Sequence, residues 1–104
     1  MADIVTRIRE SAAKNVLFLP HAVRQMTNAE RMISTKDIRN VIDNGKVIEE
    51  YPEDPRGHSC LLCYTGDRPI HVVCSPKEDY LAVITAYIPD DNEWDDNYQK
   101  RNKP

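Results

Sequence analysis

The chain has 104 residues, of which 40% are hydrophobic and 30% are charged, and its formal net charge is −3. This length suits one domain with a single modest core, and no apolar run approaches the roughly 20 residues that a transmembrane helix needs. The net negative charge argues against a protein that holds duplex nucleic acid by general electrostatic attraction.

The two halves of the chain differ in charge. Residues 1–46 carry a net charge of +3 and residues 47–104 a net charge of −6, with five acidic side chains in residues 90–96. We expect the acidic end, about residues 90–104, to be a mobile, solvated tail, although a docking strip for a basic partner is the alternative. The N-terminus does not read as a secretory signal, and three cysteines give no disulfide framework, so we expect a cytoplasmic protein that does not contact a membrane.

Helical patterns occupy about residues 3–44. Apolar residues at a spacing of four predict an amphipathic helix over Asp3–Asn15, and a short apolar connector, Val16–Leu19, follows it. Pro20 is well placed to open a second helix because the first turn of a helix does not need its missing N–H group. The second helix has one apolar face, formed by Ala22, Met26, Ala29 and Ile33, and one polar face, formed by His21, Arg24, Gln25, Asn28 and Arg31.

A third helix and then a sheet are predicted after this point. Ser34 and Asp37 resemble a capping box, and Asn44-Gly45 ends the helix that it opens. Apolar alternation between turn residues predicts four strands in about residues 46–88: Lys46–Tyr51, Ser59–Tyr64, Pro69–Ser75 and Tyr80–Ile88. Short connections favour an antiparallel meander with the helices on one face, which is a single α+β domain.

Polar side chains interrupt the last two strands, which otherwise read as buried. Strand alternation places His71, Thr85 and Tyr87 on one face of the sheet, provided that the hydrophobic pattern sets the register, and Arg68 precedes the same pair of strands. Because an unsatisfied buried polar atom costs about 1–3 kcal/mol, residues of this kind indicate either a functional site or a structural polar network.

These four side chains have the chemistry that metal-independent RNA cleavage requires. A base removes the proton of a 2′-hydroxyl, an arginine stabilises charge on the phosphorus, and an acid protonates the leaving 5′-oxygen. Histidine suits an acid or base role near neutral pH, and arginine can hold two phosphate oxygens at once. On the second helix, His21, Arg24 and Arg31 are either the other half of such a site, contacting phosphate, or an ordinary solvent-exposed face.

We predict no metal and no cofactor. Cys60 and Cys63 have the spacing of zinc ligands, but three residues apart in a strand their sulfur atoms should point to opposite faces. Together with Cys74 they read as small buried hydrophobic residues.

The motifs resemble those of a bacterial and archaeal family, domain of unknown function 4258, over about residues 10–101. The most specific segments are Glu49–Pro52 and Arg68–Val73. The other segments that carry the resemblance are His21–Met26, Ser34–Ile38, Gly45–Ile48, Gly57–Leu61, Ile84–Pro89 and Trp94. One position departs from the family pattern, which often has arginine where this chain has Gln25.

The resemblance implies a fold similar to that of RelE-like toxins, in which N-terminal helices pack on an antiparallel sheet. It also implies a ribonuclease toxin whose partner is a small antitoxin-like protein, often zinc-binding. The resemblance assigns no catalytic roles, so we infer them from the chemistry of the side chains. We expect His71 and His21 to act as acid and base, Arg68 to hold the phosphate, Tyr87 to orient the substrate or donate a proton, and Thr85 to support them by hydrogen bonding. The alternative function is a non-enzymatic protein-binding module in which the polar cluster is structural.

Overall fold

The computed structural model describes residues 3–102, which form three helices and a five-stranded sheet. The helices are α1 (Ile4–Lys14), α2 (Pro20–Met26) and α3 (Thr35–Asn44). The strands are β1 (Val16–Phe18), β2 (Lys46–Tyr51), β3 (Ser59–Thr65), β4 (Pro69–Pro76) and β5 (Leu81–Tyr87). The domain is thus mixed α+β, as the sequence predicts. Within this part of the chain, no helix has the length and apolar character that crossing a membrane requires.

The sheet has the strand order β1-β5-β4-β3-β2. Strands β2 to β5 form the predicted antiparallel meander, but β1 pairs with β5 in parallel, so the expectation of four antiparallel strands is wrong by one strand. The segment that we expected to be a connector forms β1, where Leu19 N–H donates to Val83 O and Leu81 N–H donates to Asn15 O. A strand of three residues is too short to show alternation in the sequence.

The predicted starts of α2 and α3 are confirmed, but α2 ends earlier than the apolar pattern predicted, which extended to Ile33. The capping box of Ser34 and Asp37 is present at the start of α3. Helix α2 ends at Met26, after which the Thr27 hydroxyl donates to Val23 O and the chain turns through Met32, whose φ is 46°. Arg31 therefore lies in the loop between α2 and α3 and not on a helix face.

The helices cover one face of the sheet and leave the other face to the C-terminal segment. The core between helices and sheet includes Ile8, Ile38, Val41, Leu62 and Val72. The opposite face, which we call the open face, carries His71, Val73, Thr85 and Tyr87, in the register His71–Tyr87 and Val73–Thr85. A shift of register in β5 leaves Ile84 without a partner in β4. Such a bulge lets neighbouring residues of one strand share a face.

Residues 90–102, which we call the strap, pack over one end of the open face. Trp94 is 2% exposed, and the Arg101 guanidinium lies 4.7 Å from the centre of its ring. Arg101 Nε also donates to Glu49 Oε2 of β2 at 2.7 Å. The segment that the sequence predicted to be a mobile, solvated tail thus contains a buried residue, Trp94, that packs against the sheet. The last two residues of this segment, 103 and 104, lie outside the described part of the chain.

Candidate functional site

A groove separates α2 from the open face of the sheet and consists of two adjoining compartments that share His21 and Thr85. The polar compartment has a volume of about 430 Å³ and is lined by His21, Gln25, Arg31, Thr85, Tyr87, Ile88, Asp90 and Glu93. The apolar compartment has a volume of about 450 Å³ and is lined by His21, Tyr51, Asp54, Pro55, Arg56, Val73, Ile84 and Thr85. These volumes are typical of sites for small ligands.

Local structure brings four of the predicted site residues to the polar compartment. Pro20 opens α2, so His21 lies in the exposed first turn of that helix. Strand β5 presents Thr85 and Tyr87 on its open face because they are two residues apart. Arg31 reaches the compartment from the loop, with its Nη1 donating to Gln25 Oε1.

His71 lies beneath the compartment and does not line it. Its side chain is fully buried, with the Trp94 ring edge-on at 4.5 Å between centres. Its Nε2–H donates to the Tyr98 carbonyl at 2.7 Å, which leaves Nδ1 to accept from the Tyr87 hydroxyl at 3.2 Å. Burial lowers the pKa of His71 below its usual value, although the Tyr98 carbonyl and Glu49 oppose the shift. The structure thus places the predicted His71 behind Tyr87, without access to the groove.

Arg68 is also outside the groove. Its guanidinium donates to the carbonyl of Arg31, to that of Met32 at 2.7 Å and to Asp37 Oδ2 at 3.3 Å. These contacts attach β4 to the loop that carries Arg31. Arg68 directly precedes the strand that carries His71, but its donors face the α2–α3 loop and not the groove.

Arg24, the remaining predicted residue, is exposed on α2 and lines neither compartment. Of the two basic residues assigned to substrate binding, the structure brings only Arg31 into the groove. The difference arises because α2 ends before Arg31, so the two residues do not share a helix face.

One wall of the apolar compartment consists of Tyr51, Asp54 and Arg56, none of which was predicted from the sequence to be a site residue. Asp54 accepts from Arg56 Nε and Nη2 at 3.1 Å each and from the Ser59 hydroxyl at 2.7 Å. These bonds hold the pKa of Asp54 well below its usual value. The segment reads as a plain turn in the sequence, although aspartate two residues before Arg56 is typical of a side chain that caps its own turn.

The cysteines fit the predicted structural role. Cys60 and Cys74 face each other on the helix side of the sheet, whereas Cys63 lies opposite His71 on the open side. All three are buried and free, and burial raises the pKa of Cys63. Within residues 3–102, no three histidine, cysteine or acidic side chains are close enough to hold a metal ion.

Comparison with known proteins gives the family. A family model described as a domain of unknown function (DUF4258) matches residues 18–88. The chain belongs to this family. The DUF4258 match begins in β1 and ends one residue after β5, so it includes every groove residue except the two acids of the strap, Asp90 and Glu93. No curated protein and no solved structure matches the chain.

Proposed function

We propose that this DUF4258 protein is a metal-independent endoribonuclease and that the groove is its active site. The observation that carries the proposal is the composition of the polar compartment, in which an imidazole, a guanidinium and two hydroxyl groups line one volume of about 430 Å³. Acid–base cleavage of RNA uses these groups.

The reaction assigned to this site is an attack of the substrate's own 2′-hydroxyl on the adjacent phosphorus. The products are a 2′,3′-cyclic phosphate and a free 5′-hydroxyl. His21 and Tyr87 are the acid and base candidates, because both line the compartment and both can exchange a proton. Arg31 is the cation for the phosphate, and the Thr85 hydroxyl supplies a hydrogen bond.

His71 and Arg68 are positioning residues in this proposal. His71 accepts a hydrogen bond from the Tyr87 hydroxyl and thereby fixes the position of the phenol in the compartment. Arg68 binds the carbonyl of Arg31 and thereby fixes the loop that carries the phosphate-binding guanidinium. The Arg68–Val73 segment of the sequence resemblance thus supports two groove residues from behind.

The biological setting belongs to the proposal as well. We place the protein in the cytoplasm of a bacterium or archaeon, as a toxin with RelE-like topology. A small antitoxin-like protein, with its own zinc site, would neutralise it by covering the groove. The order of three helices and an antiparallel meander supports this assignment.

The test is cleavage of a mixed-sequence single-stranded RNA by the purified protein in the presence of a chelator. We expect products with 2′,3′-cyclic phosphate ends, and we expect His21→Asn to cut the rate about 100-fold or more, as loss of an acid or base does. Arg31→Ala and Arg24→Ala are a matched pair, since each removes one arginine. The first should be strongly impaired, and the second, outside the groove, should stay near the wild-type rate.

A protein-binding module is the second candidate function, and the complete burial of His71 favours it, because a buried and satisfied imidazole fits a structural cluster. The same experiment separates the two functions. Absence of chelator-resistant cleavage, or equal cleavage by wild type and His21→Asn, would reject the nuclease. Tight binding of a partner protein that His21→Asn abolishes, without any RNA cleavage, would identify the module.

A further inference from the structure

We propose that the apolar compartment binds the base of the nucleotide beside the scissile phosphate, with a preference for guanine. This inference rests on the proposed nuclease function and deepens it by assigning the substrate's base to a specific place. The two compartments share His21 and Thr85, so a nucleotide whose phosphate lies in the polar compartment can extend its base directly into the apolar one.

The floor of the apolar compartment is suited to a flat aromatic ring. Val73 of β4 and Ile84 of β5 both line it, and the bulge in β5 is the reason that Ile84 and Thr85, adjacent in sequence, reach the same volume. Apolar side chains of this kind cannot satisfy the oxygens of a phosphate, whereas they pack well against the face of a base.

Hydrogen bonds within the protein fix Tyr51, one of the residues that line the apolar compartment. The hydroxyl of Tyr51 donates to Glu49, which Arg101 of the strap holds in turn. Burial and the neighbouring Glu49 raise the pKa of Tyr51 to about 12, so its phenol stays neutral. A fixed aromatic side chain is a platform on which a base can stack.

Arg56 supplies both a plane and a hydrogen-bonding edge. The Asp54 carboxylate accepts hydrogen bonds from Nε and Nη2 of Arg56 at 3.1 Å each, yet the Arg56 side chain remains 59% exposed. This contact leaves the outer edge of the guanidinium, with Nη1 and the second Nη2 hydrogen, pointing away from Asp54. Guanine is the base that offers two acceptors, N7 and O6, to such an edge.

The charge of the compartment also favours a base over a phosphate. The Arg56 guanidinium is neutralised by Asp54, and among the described residues that line the compartment no other arginine or lysine is present. A phosphate would therefore find no net positive charge in this compartment. An uncharged ring that accepts hydrogen bonds does not need one.

The test compares the binding of guanosine 5′-monophosphate, uridine 5′-monophosphate and ribose 5-phosphate to the full chain by ligand-observed NMR titration. Wild type should bind the guanine nucleotide about tenfold more tightly than the other two. Arg56→Ala and the charge-conserving Arg56→Lys should both abolish that preference. Arg39→Ala, at an exposed position of α3 that lines neither compartment, is the control that should keep the preference.

Several results would overturn the inference. These are equal affinities for the guanine nucleotide and ribose 5-phosphate, a guanine preference that survives in both Arg56 variants, or RNA cleavage by wild type at sites without regard to guanosine. The last result would leave the nuclease proposal intact. Conversely, guanine binding that depends on Arg56, together with no RNA cleavage, would reject the nuclease and leave this compartment as a nucleotide-binding site.

Discussion

His71 is fully buried beneath the Trp94 ring of the strap. Strand alternation was sufficient to place it on one face with Thr85 and Tyr87, because the hydrophobic pattern set the register of β4 against β5. Its burial could not be predicted, because the group that covers it, Trp94, belongs to a strap without any helical or strand period.

The burial of His71 has a consequence for stability. Because its pKa is lowered in the folded protein, the unfolded chain binds more protons as the pH falls through the usual histidine value of 6.5. The contribution of neutral His71 is therefore present above pH 6.5 and is lost progressively below it. The carboxylates with lowered pKa values act in a lower range, below their usual values of 3.8 and 4.5.

We predict that urea denaturation of the wild type shows a loss of unfolding free energy in the pH range just below 6.5. His71→Gln should be less stable at pH 7 by about 1–3 kcal/mol, since a buried hydrogen-bond network is disturbed. Its stability should nevertheless change less with pH in this window. An unchanged slope in His71→Gln would show that other groups cause the acid sensitivity. His58→Gln, at a more exposed histidine, is the control.

At the scale of elements, the boundaries that the sequence predicted best are those with a local chemical cause. The capping box at Ser34 and the glycine after Asn44 define α3 through bonds within a few residues. The boundaries that were missed depend on distant partners. Strand β1 exists because β5 offers it a free edge, and the loop after α2 is held by Arg68, 36 or 37 residues away along the chain.

Arg68 is expected to stabilise the α2–α3 loop and not to contact substrate. Arg68→Met should lower the unfolding free energy by about 1–3 kcal/mol, because two loop carbonyls lose a charged donor and Asp37 loses its ion-pair partner. Thermal unfolding measures this effect. If Arg68 only positions the Arg31 loop, KM for RNA should rise while the pH profile of kcat stays that of wild type. A stable variant with an altered pH profile would instead place Arg68 among the reacting groups.

At the scale of the whole molecule, the net negative charge limits how strongly the protein can attract RNA. The net charge is −3, and two strap carboxylates, Asp90 and Glu93, line the same polar compartment as Arg31. Binding through phosphate contacts alone should therefore be weak, in contrast to basic proteins that bind nucleic acid without regard to sequence. Affinity must come from the groove itself, which agrees with a site that holds one base and one phosphate.

Substitution of Asp90 and Glu93 tests whether RNA phosphate binds in the polar compartment. The double variant Asp90→Asn/Glu93→Gln should bind single-stranded RNA more tightly, by a few-fold to about tenfold at low salt, because two repulsive charges leave the phosphate site. The gain should diminish as salt is raised, since added ions screen the charges that were removed. Asp96→Asn is the control, because this exposed acid lies in the same strap but lines neither compartment. Filter binding at two salt concentrations gives the comparison. Because the control removes one charge and the double variant removes two, a control with half the double variant's gain in binding free energy would mean that only the overall charge matters. No gain in either variant would mean that RNA does not approach the polar compartment.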